Sequence, residues 1–394
     1  MNKAVTWLAT MAFCVATAAP ALAAEDSIKI GVQGAHSGDL AEDSIKIGVQ
    51  GAHSGDLASY GVPSLNAVKI VVDKANAKGG VLGRKIEVIS QDDQCKPEMA
   101  TNAATKLISD KAVAVVGPIC SGPTKASLPL FQQAGIIAIS PTATTPGLTE
   151  DGKNPLFFRT VANDNAQAKL TSDFVLNKLK AKSVAYLHDN GDYGKGFADN
   201  NRAILEKAGV KTVLFEAVTP DAVDFSAVVR KLRRAKPDIL VFGGYQPVAS
   251  KLIQQMRRDH LKVPLIGPDG VKDETFLKMT GKDSEGTYAS YPKDTSALPQ
   301  YKEAREAHIK AFGSEPGFGY YNAYAATQCL LAAIEKAGST DTAKLKEVLR
   351  NNLVDTPLGK INFNAQGDAA GMGLSIYQVQ GGKFVELDHS ITLN

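Results

Sequence analysis

The chain is short of the residues that most chemistry needs. It has one tryptophan, Trp7, and four cysteines. There is no Cys-x-x-Cys, so dithiol redox chemistry and thiolate metal sites have no support. Six histidines show no ligand spacing, and two of them, His36 and His53, are copies of each other. Phosphate-binding, dinucleotide-binding, nucleophile-elbow and zinc-protease motifs are all missing. His53, Ser54 and Asp56 resemble a catalytic triad only on paper, because neighbours in one turn point apart. Asp92-Asp93 reads as a pair of turn acids at a strand end. The net charge is only +3, with no dense basic patch or aromatic-basic stripe, which excludes nucleic acid as a partner. No Pro/Ser-rich linker divides the chain.

The first 23 residues read as a secretory signal peptide. Lys3 gives a positive start, an uncharged apolar stretch follows, and Ala21-Leu22-Ala23 supplies small residues for cleavage. The stretch is too short for a membrane anchor, and no other segment is apolar enough to cross. The expected location is therefore the periplasm. Trp7 lies in this leader, so the mature chain has no tryptophan. Residues 24–40 and 41–57 are identical. Folded repeats recur at least about three times, so a two-copy duplication is not an architecture. Both copies hold the same strand, and only one fits one slot in a sheet. The second copy runs directly into Ala58-Ser59-Tyr60-Gly61 and a helix, which assigns it the slot. The first copy becomes an extra tail.

Beyond the leader, short apolar runs each end in a small polar turn and then start a helix. They end at Gly51-Ala52-His53-Ser54, Gly117-Pro118-Ile119-Cys120, Ser140-Pro141-Thr142-Ala143-Thr144, His188-Asp189-Asn190, Gly243-Gly244-Tyr245 and Gly267-Pro268-Asp269-Gly270. Apolar runs alternating with helices predict an α/β fold with parallel sheets covered on both faces. Ligands of such sheets sit at the carboxyl ends of strands. Here those ends carry hydroxyls, backbone N–H groups and one acid, a set suited to a small zwitterion. Ser121 and Thr144 each stand in a turn ahead of a helix, where a hydroxyl and N-terminal N–H groups receive a carboxylate or simply cap the helix. Asp269, between glycines, suits a ligand ammonium or an Asx-turn. Tyr60, Tyr193 and Tyr245 follow strand ends and can wall an apolar pocket. Cys95 and Cys120 lie at adjacent strand ends, so in an oxidising compartment they either pair or stay as buried thiols. Cys329 falls in an Ala/Leu-rich helix as a small core residue.

In order and spacing, these turns resemble those of the periplasmic leucine/isoleucine/valine-binding proteins of bacterial ABC importers, which have the type I periplasmic binding fold. The resemblance rests on Gly51-Ala52-His53-Ser54-Gly55, Asn76-Ala77-Lys78-Gly79-Gly80, Asp92-Asp93-Gln94-Cys95, Gly117-Pro118-Ile119-Cys120-Ser121 and Ser140-Pro141-Thr142-Ala143-Thr144. It continues through His188-Asp189 with Tyr193-Gly194, Gly243-Gly244-Tyr245, Gly267-Pro268-Asp269-Gly270 and Tyr324-Ala325-Ala326. It implies two Rossmann-like lobes joined by three crossover strands, with residues 41–162 and 293–372 in one lobe and 163–292 and 373–394 in the other. It further implies a monomeric receptor, without cofactor, metal or enzymatic activity, that binds a branched-chain amino acid between the lobes and delivers it to an ABC permease. Ser121, Thr142, Ala143 and Thr144 are then expected to line the ligand site, with Ser121 and Thr144 on its carboxylate and the Thr142 carbonyl on its ammonium. Tyr60, Tyr193, Tyr245 and Asp269 complete it, and the family's disulfide maps onto Cys95 and Cys120. Two positions depart from the family. Asp269 stands where a glutamate is usual, which shifts the ligand by one methylene or recruits a water. Gly319-Tyr320 stands where a bulky aromatic usually borders the side-chain pocket. A sensing regulator of the same fold, for small amides or other amino acids, is the alternative.

Overall fold

The computed structural model describes residues 44–393. The leader and the first copy of the duplicated segment lie outside them. Within residues 43–394 the chain forms one compact unit, built as two lobes.

The first lobe starts with β1 (Ile45–Gly51), α1 (Ala58–Ala77), β2 (Ile86–Asp92), α2 (Pro97–Ser109) and β3 (Ala114–Val116). It goes on with α3 (Ser121–Gln133), β4 (Ile137–Ser140) and β5 (Phe157–Arg159). These strands form one parallel sheet in the order β2-β1-β3-β4-β5. The second copy of the duplication thus supplies β1, which pairs along its whole length with β2. Successive strand residues point to opposite faces, and both faces are buried. Ala114 and Val116 pack with α1 on one side, while Val115 packs with Ala104, Leu107 and Phe131 on the other. That two-sided burial is why β3 and β4 read as short apolar runs.

The second lobe holds α4 (Asp164–Asp173), β6 (Ser183–His188), α5 (Asp192–Lys207), β7 (Lys211–Ala217) and α6 (Ser226–Ala235). After these come β8 (Ile239–Gly243), α7 (Gln246–Arg258), β9 (Leu265–Gly267), α8 (Glu274–Thr280) and β10 (Tyr288–Pro292). The chain then returns to the first lobe with α9 (Pro299–Phe312), α10 (Tyr320–Ala337) and α11 (Thr342–Asn351). A small antiparallel sheet follows, formed by β11 (Val354–Thr356), β12 (Gly359–Phe363) and β13 (Ala369–Ala370). It finishes in the second lobe with the hairpin β14 (Gly373–Gln380) and β15 (Lys383–Thr392). The second sheet runs β15-β14-β10-β9-β8-β6-β7 and is mixed, since β14 and β15 are antiparallel to their neighbours. No helix of the described residues is long and apolar enough to cross a membrane.

Between the lobes the chain crosses three times, after β5, β10 and β13. One buried cation ties the first and third crossings together. Arg159 is fully buried at the end of β5. Its Nε donates to Asp368 Oδ1 at 2.5 Å, and its Nη1 donates to the carbonyls of Ala143 and Thr145 at 3.2 and 2.9 Å. Asp368, ahead of β13, also accepts from Thr149 and Asn163. Arg159 therefore fixes the backbone of the 143–145 turn from below. Removing one partner of a buried pair leaves the other charge uncompensated. Asp368→Ala is expected to lower stability by about 3 kcal/mol, read from the midpoint of urea unfolding.

Candidate functional site

The ends of β1, β3 and β4 face the ends of β6, β8 and β9, and the candidate residues gather between them. Their backbones come together because side chains are missing where the chains touch. A Cβ on Gly243 would lie 1.9 Å from the Gly194 carbonyl oxygen. Only glycine lets the first turn of α5 rest on the end of β8, and this brings Tyr193 and Tyr245 to ring contact at 4.9 Å.

On the first lobe, Ser121 opens α3. Its Oγ accepts the backbone N–H groups of Thr144 and Thr145 at 3.2 and 3.3 Å, which pins the 142–145 turn to the helix start. Thr142 Oγ1 donates to the Ile119 carbonyl at 2.7 Å. Ala143 turns its methyl into the core, and its carbonyl is taken by Arg159. Thr144 is not ahead of a regular helix, as its sequence position suggested. Only one 3-10 turn, Pro146–Leu148, follows it. Its carbonyl accepts from Asp164 N at the start of α4.

On the second lobe, Asp269 is almost completely buried. Tyr193 Oη donates to its Oδ1 at 2.6 Å, and Gln167 Nε2 donates to the same oxygen at 3.1 Å. Oδ2 takes neither bond. Burial pushes the Asp269 carboxyl up to about 6, against the donors from Tyr193 and Gln167 that favour its charged form. Asp164 is also fully buried, and its Oδ2 has no hydrogen-bond partner. Burial first, and Asp269 second, hold its carboxyl well above the usual carboxylate range. The nearby Thr144 hydroxyl opposes this rise without reaching hydrogen-bond geometry, since its own Oγ1 is also unpartnered. Gln167 Nε2 donates to Asp164 Oδ1 at 3.3 Å as well, so a single amide joins the two acids.

Tyr60 connects the lobes. Its hydroxyl donates to the Gly270 carbonyl at 2.5 Å and accepts from Gln246 N at 3.1 Å. Tyr193 Oη also accepts from Gly270 N at 2.8 Å. A cavity of about 10 Å³ lies at the centre, the room of about one water. Of the eight candidates, Tyr60, Thr142, Tyr193, Tyr245 and Asp269 line it, while Ser121, Ala143 and Thr144 stand behind that wall. Ile119, Cys120, Gly270 and Phe318 complete the lining. A larger hollow of about 350 Å³ opens on the other side of Tyr193 and Tyr245, against Cys95, Cys120 and the start of α5. Cys95 and Cys120 form a disulfide with Cα atoms 5.6 Å apart, and Cys329 is a buried free thiol.

The aromatic at the apolar wall is Phe318. Its ring meets Tyr60 edge-on at 4.6 Å. Tyr320, two residues on, instead enters the first-lobe core and donates to the Ala304 carbonyl. Gly319 between them has no room for a Cβ, which would sit 2.7 Å from Thr142 Cγ2. Phe318, Asp164 and Gln167 were not singled out from sequence. For Phe318 the signal was one residue away; a polar residue inside a helix such as Gln167 gives none.

With this geometry in view, the matches to known proteins are informative. Residues 44–383 match the periplasmic binding protein family. The chain belongs to that family. An amino acid binding protein of Pseudomonas aeruginosa is 37% identical over 89% of this chain and 90% of its own length. The Leu/Ile/Val-binding protein of Escherichia coli is 33% identical over 94% of this chain and 95% of its own. Among solved structures, a branched-chain amino acid binding protein of Streptococcus pneumoniae in complex with isoleucine has a TM-score of 0.78 at 27% identity, covering 87% of this chain and all of its own. A leucine binding protein of Thermotoga maritima has a TM-score of 0.82 at 24% identity, covering 88% and 99%, and adds evidence of fold alone.

Asp269 sets a pH dependence of known sign. Its folded value, about 6, lies above the unfolded 3.8. Between those values the folded protein holds a proton that the unfolded chain has released. The contribution of Asp269 to stability therefore declines as pH rises through that window, and its full cost applies above pH 6. Asp269→Asn is expected to stabilise the protein by about 3 kcal/mol at pH 7.5. The gain should vanish below pH 4, as read from thermal unfolding at both pH values.

Proposed function

We propose that the chain is an extracytoplasmic receptor that binds an amino acid, branched-chain aliphatic in class, between its lobes and delivers it to an ABC permease. The observation that carries this reading is the geometry of Asp269. It is a buried carboxylate with no cation paired to it among the described residues, held by Tyr193 and Gln167 on Oδ1, beside a cavity walled by Ile119, Phe318, Tyr60 and Tyr245. A buried anion without a countercharge is costly, and a ligand ammonium removes that cost. The apolar wall suits an aliphatic side chain. The relatives named for leucine, isoleucine and valine support the same class.

In this reading the first lobe receives the ligand carboxylate through the N–H groups at the start of α3 and in the 142–145 turn, with Ser121 and Thr144 contributing hydroxyls. The Thr142 carbonyl joins Asp269 around the ammonium, and Ala143 shapes the turn between them. Tyr60, Tyr193 and Tyr245 wall the site and join the lobes. A zwitterion held by one lobe completes the contacts of the other only on closure, so the ligand favours the closed form by its differential affinity. The protein acts without turnover, as a monomer, in the periplasm after removal of residues 1–23. Residues 41–162 with 293–372 move as one lobe and 163–292 with 373–394 as the other.

Calorimetric titration against all common amino acids, γ-amino acids and small aliphatic amides tests the reading. Leucine, isoleucine or valine is expected among the tightest, and at 100 times its dissociation constant it should stabilise the protein by about 2.7 kcal/mol. Asp269→Ala should weaken amino acids at least about tenfold and leave amides, which carry no ammonium, nearly unchanged. Failure of every amino acid to bind sinks the proposal, and equal weakening of both classes removes the role of Asp269.

A further inference from the structure

Lys272 lies three residues beyond Asp269, in the turn that carries the acid. It is half-buried. Among the described residues its ammonium has no hydrogen bond or ion pair. Instead Nζ sits 4.1 Å from the ring centre of Tyr291, 4.6 Å from that of Tyr377 and 5.7 Å from that of Phe384. A cation at this distance is held by the negative faces of the rings. Two of these rings lie on strands next to a change of lobe. Tyr291 ends β10 beside the second crossing. Tyr377 lies on β14, just after the third, and its hydroxyl donates to the Pro292 carbonyl at 2.8 Å.

From Tyr291 the contacts lead into the cavity. Its ring packs on Phe318 at 5.8 Å, and Phe318 packs on Tyr60 at 4.6 Å. The Tyr60 hydroxyl then returns to the Gly270 carbonyl, two residues before Lys272. The turn 269–272 is thus fastened at both ends, by Tyr60 at Gly270 and by Lys272 through Tyr291 and Phe318. We propose that Lys272 is a positioning residue for ligand binding: its ammonium, seated on Tyr291 and Tyr377, fixes the Phe318 wall of the cavity and couples the Asp269 turn to two interlobe crossings.

A charge in this place carries a stability penalty. Burial lowers Lys272 to about 8, partly offset by Glu274, Asp294, Asp273 and Glu386 around it. Asp273 and Glu274 follow it in the chain, Asp294 follows β10 and Glu386 lies on β15. Burial holds the Tyr291 and Tyr377 hydroxyls well above their usual range. The folded state thus binds the Lys272 proton less tightly than the unfolded chain does. The charged side chain subtracts stability at neutral pH, and the subtraction fades between about pH 8 and 10.5. A residue kept only for stability would not be chosen this way.

The inference rests on the ligand reading above, and its test separates the two. Lys272→Met keeps the length of the stem and removes the charge; Lys272→Arg keeps a cation that also packs on aromatic faces. Titrations with leucine and phenylalanine at pH 7 are expected to show leucine weakened about threefold to twentyfold in K272M. Phenylalanine should be weakened less, as the Phe318 wall loosens. K272R should recover at least half of the loss on a logarithmic scale. The thermal midpoint of ligand-free K272M should equal or exceed that of the wild type. Wild-type affinities in K272M, or a lowered midpoint with Arg no better than Met, would overturn the proposal. If the wild type binds no amino acid, the functional reading fails by itself. Lys272 is then judged from small-angle scattering without ligand: a larger radius of gyration for K272M than for wild type supports the coupling, and equal radii reject it.

Discussion

The arrangement depends on one carboxylate taken out of water. Asp269 has two side-chain donors on one oxygen, and that is not enough to make it an ordinary acid, since burial still holds it near 6. A fully satisfied carboxylate would have no use for a ligand, and an exposed one would prefer water. The structure keeps Asp269 between these states. Asp269 in turn acts on Asp164, the second buried acid, whose charged form it disfavours after burial itself. The amide of Gln167 is the mediator. Its Oε1 accepts from Asp269 N and from Ser290 Oγ, which fixes the amide so that Nε2 faces the two acids.

The second constraint is continuity of the aromatic wall. Tyr193, Tyr245, Tyr60, Phe318 and Tyr291 follow one another in ring contacts of 4.6 to 5.8 Å. Tyr60 and Phe318 belong to the first lobe; Tyr193, Tyr245 and Tyr291 belong to the second. A wall shared in this way cannot stay intact while the lobes separate, so the apolar part of the site and the closed arrangement are one structure. The polar part is divided differently. The hydroxyl-rich turns belong to the first lobe, and the acid belongs to the second. In the proposed reading a zwitterion would bridge them electrostatically where the rings bridge them by packing.

Much of this was legible in the sequence, for identifiable reasons. Strands buried on both faces are mostly apolar, so β1, β3, β4, β6, β8 and β9 announced themselves, although β1 also carries Lys46 and the buried Gln50. The edge strand β7, Lys-Thr-Val-Leu-Phe-Glu-Ala, is only partly buried and charged near both ends, and it gave no such run. Beyond the Gly381-Gly382 turn, β15 runs to Thr392 because pairing with β14, not its own composition, sets its length. Candidate residues at strand ends were visible because such folds gather polar turns there. Asp164 and Gln167 reach the site from the first turn of a helix, where polar residues are ordinary. Phe318 lies one residue before Gly319-Tyr320, and only the packing of each shows that Phe318 borders the cavity while Tyr320 enters the core.

The aspartate at position 269 is best understood through its donors. A glutamate would carry its carboxylate about one methylene further into the cavity, away from Tyr193 Oη and Gln167 Nε2, which hold the shorter acid at 2.6 and 3.1 Å. The same Tyr193 hydroxyl accepts from Gly270 N at 2.8 Å, so the acid, the tyrosine and the backbone of the turn form one closed hydrogen-bonded set. Extending the acid would break that set and press on the Tyr60–Gly270 contact beside it. The retracted carboxylate keeps the turn rigid. Because Lys272 anchors the far end of the same four-residue turn, the position of Asp269 is fixed from both directions, and the reach of the acid and the seat of the lysine are two parts of a single fit.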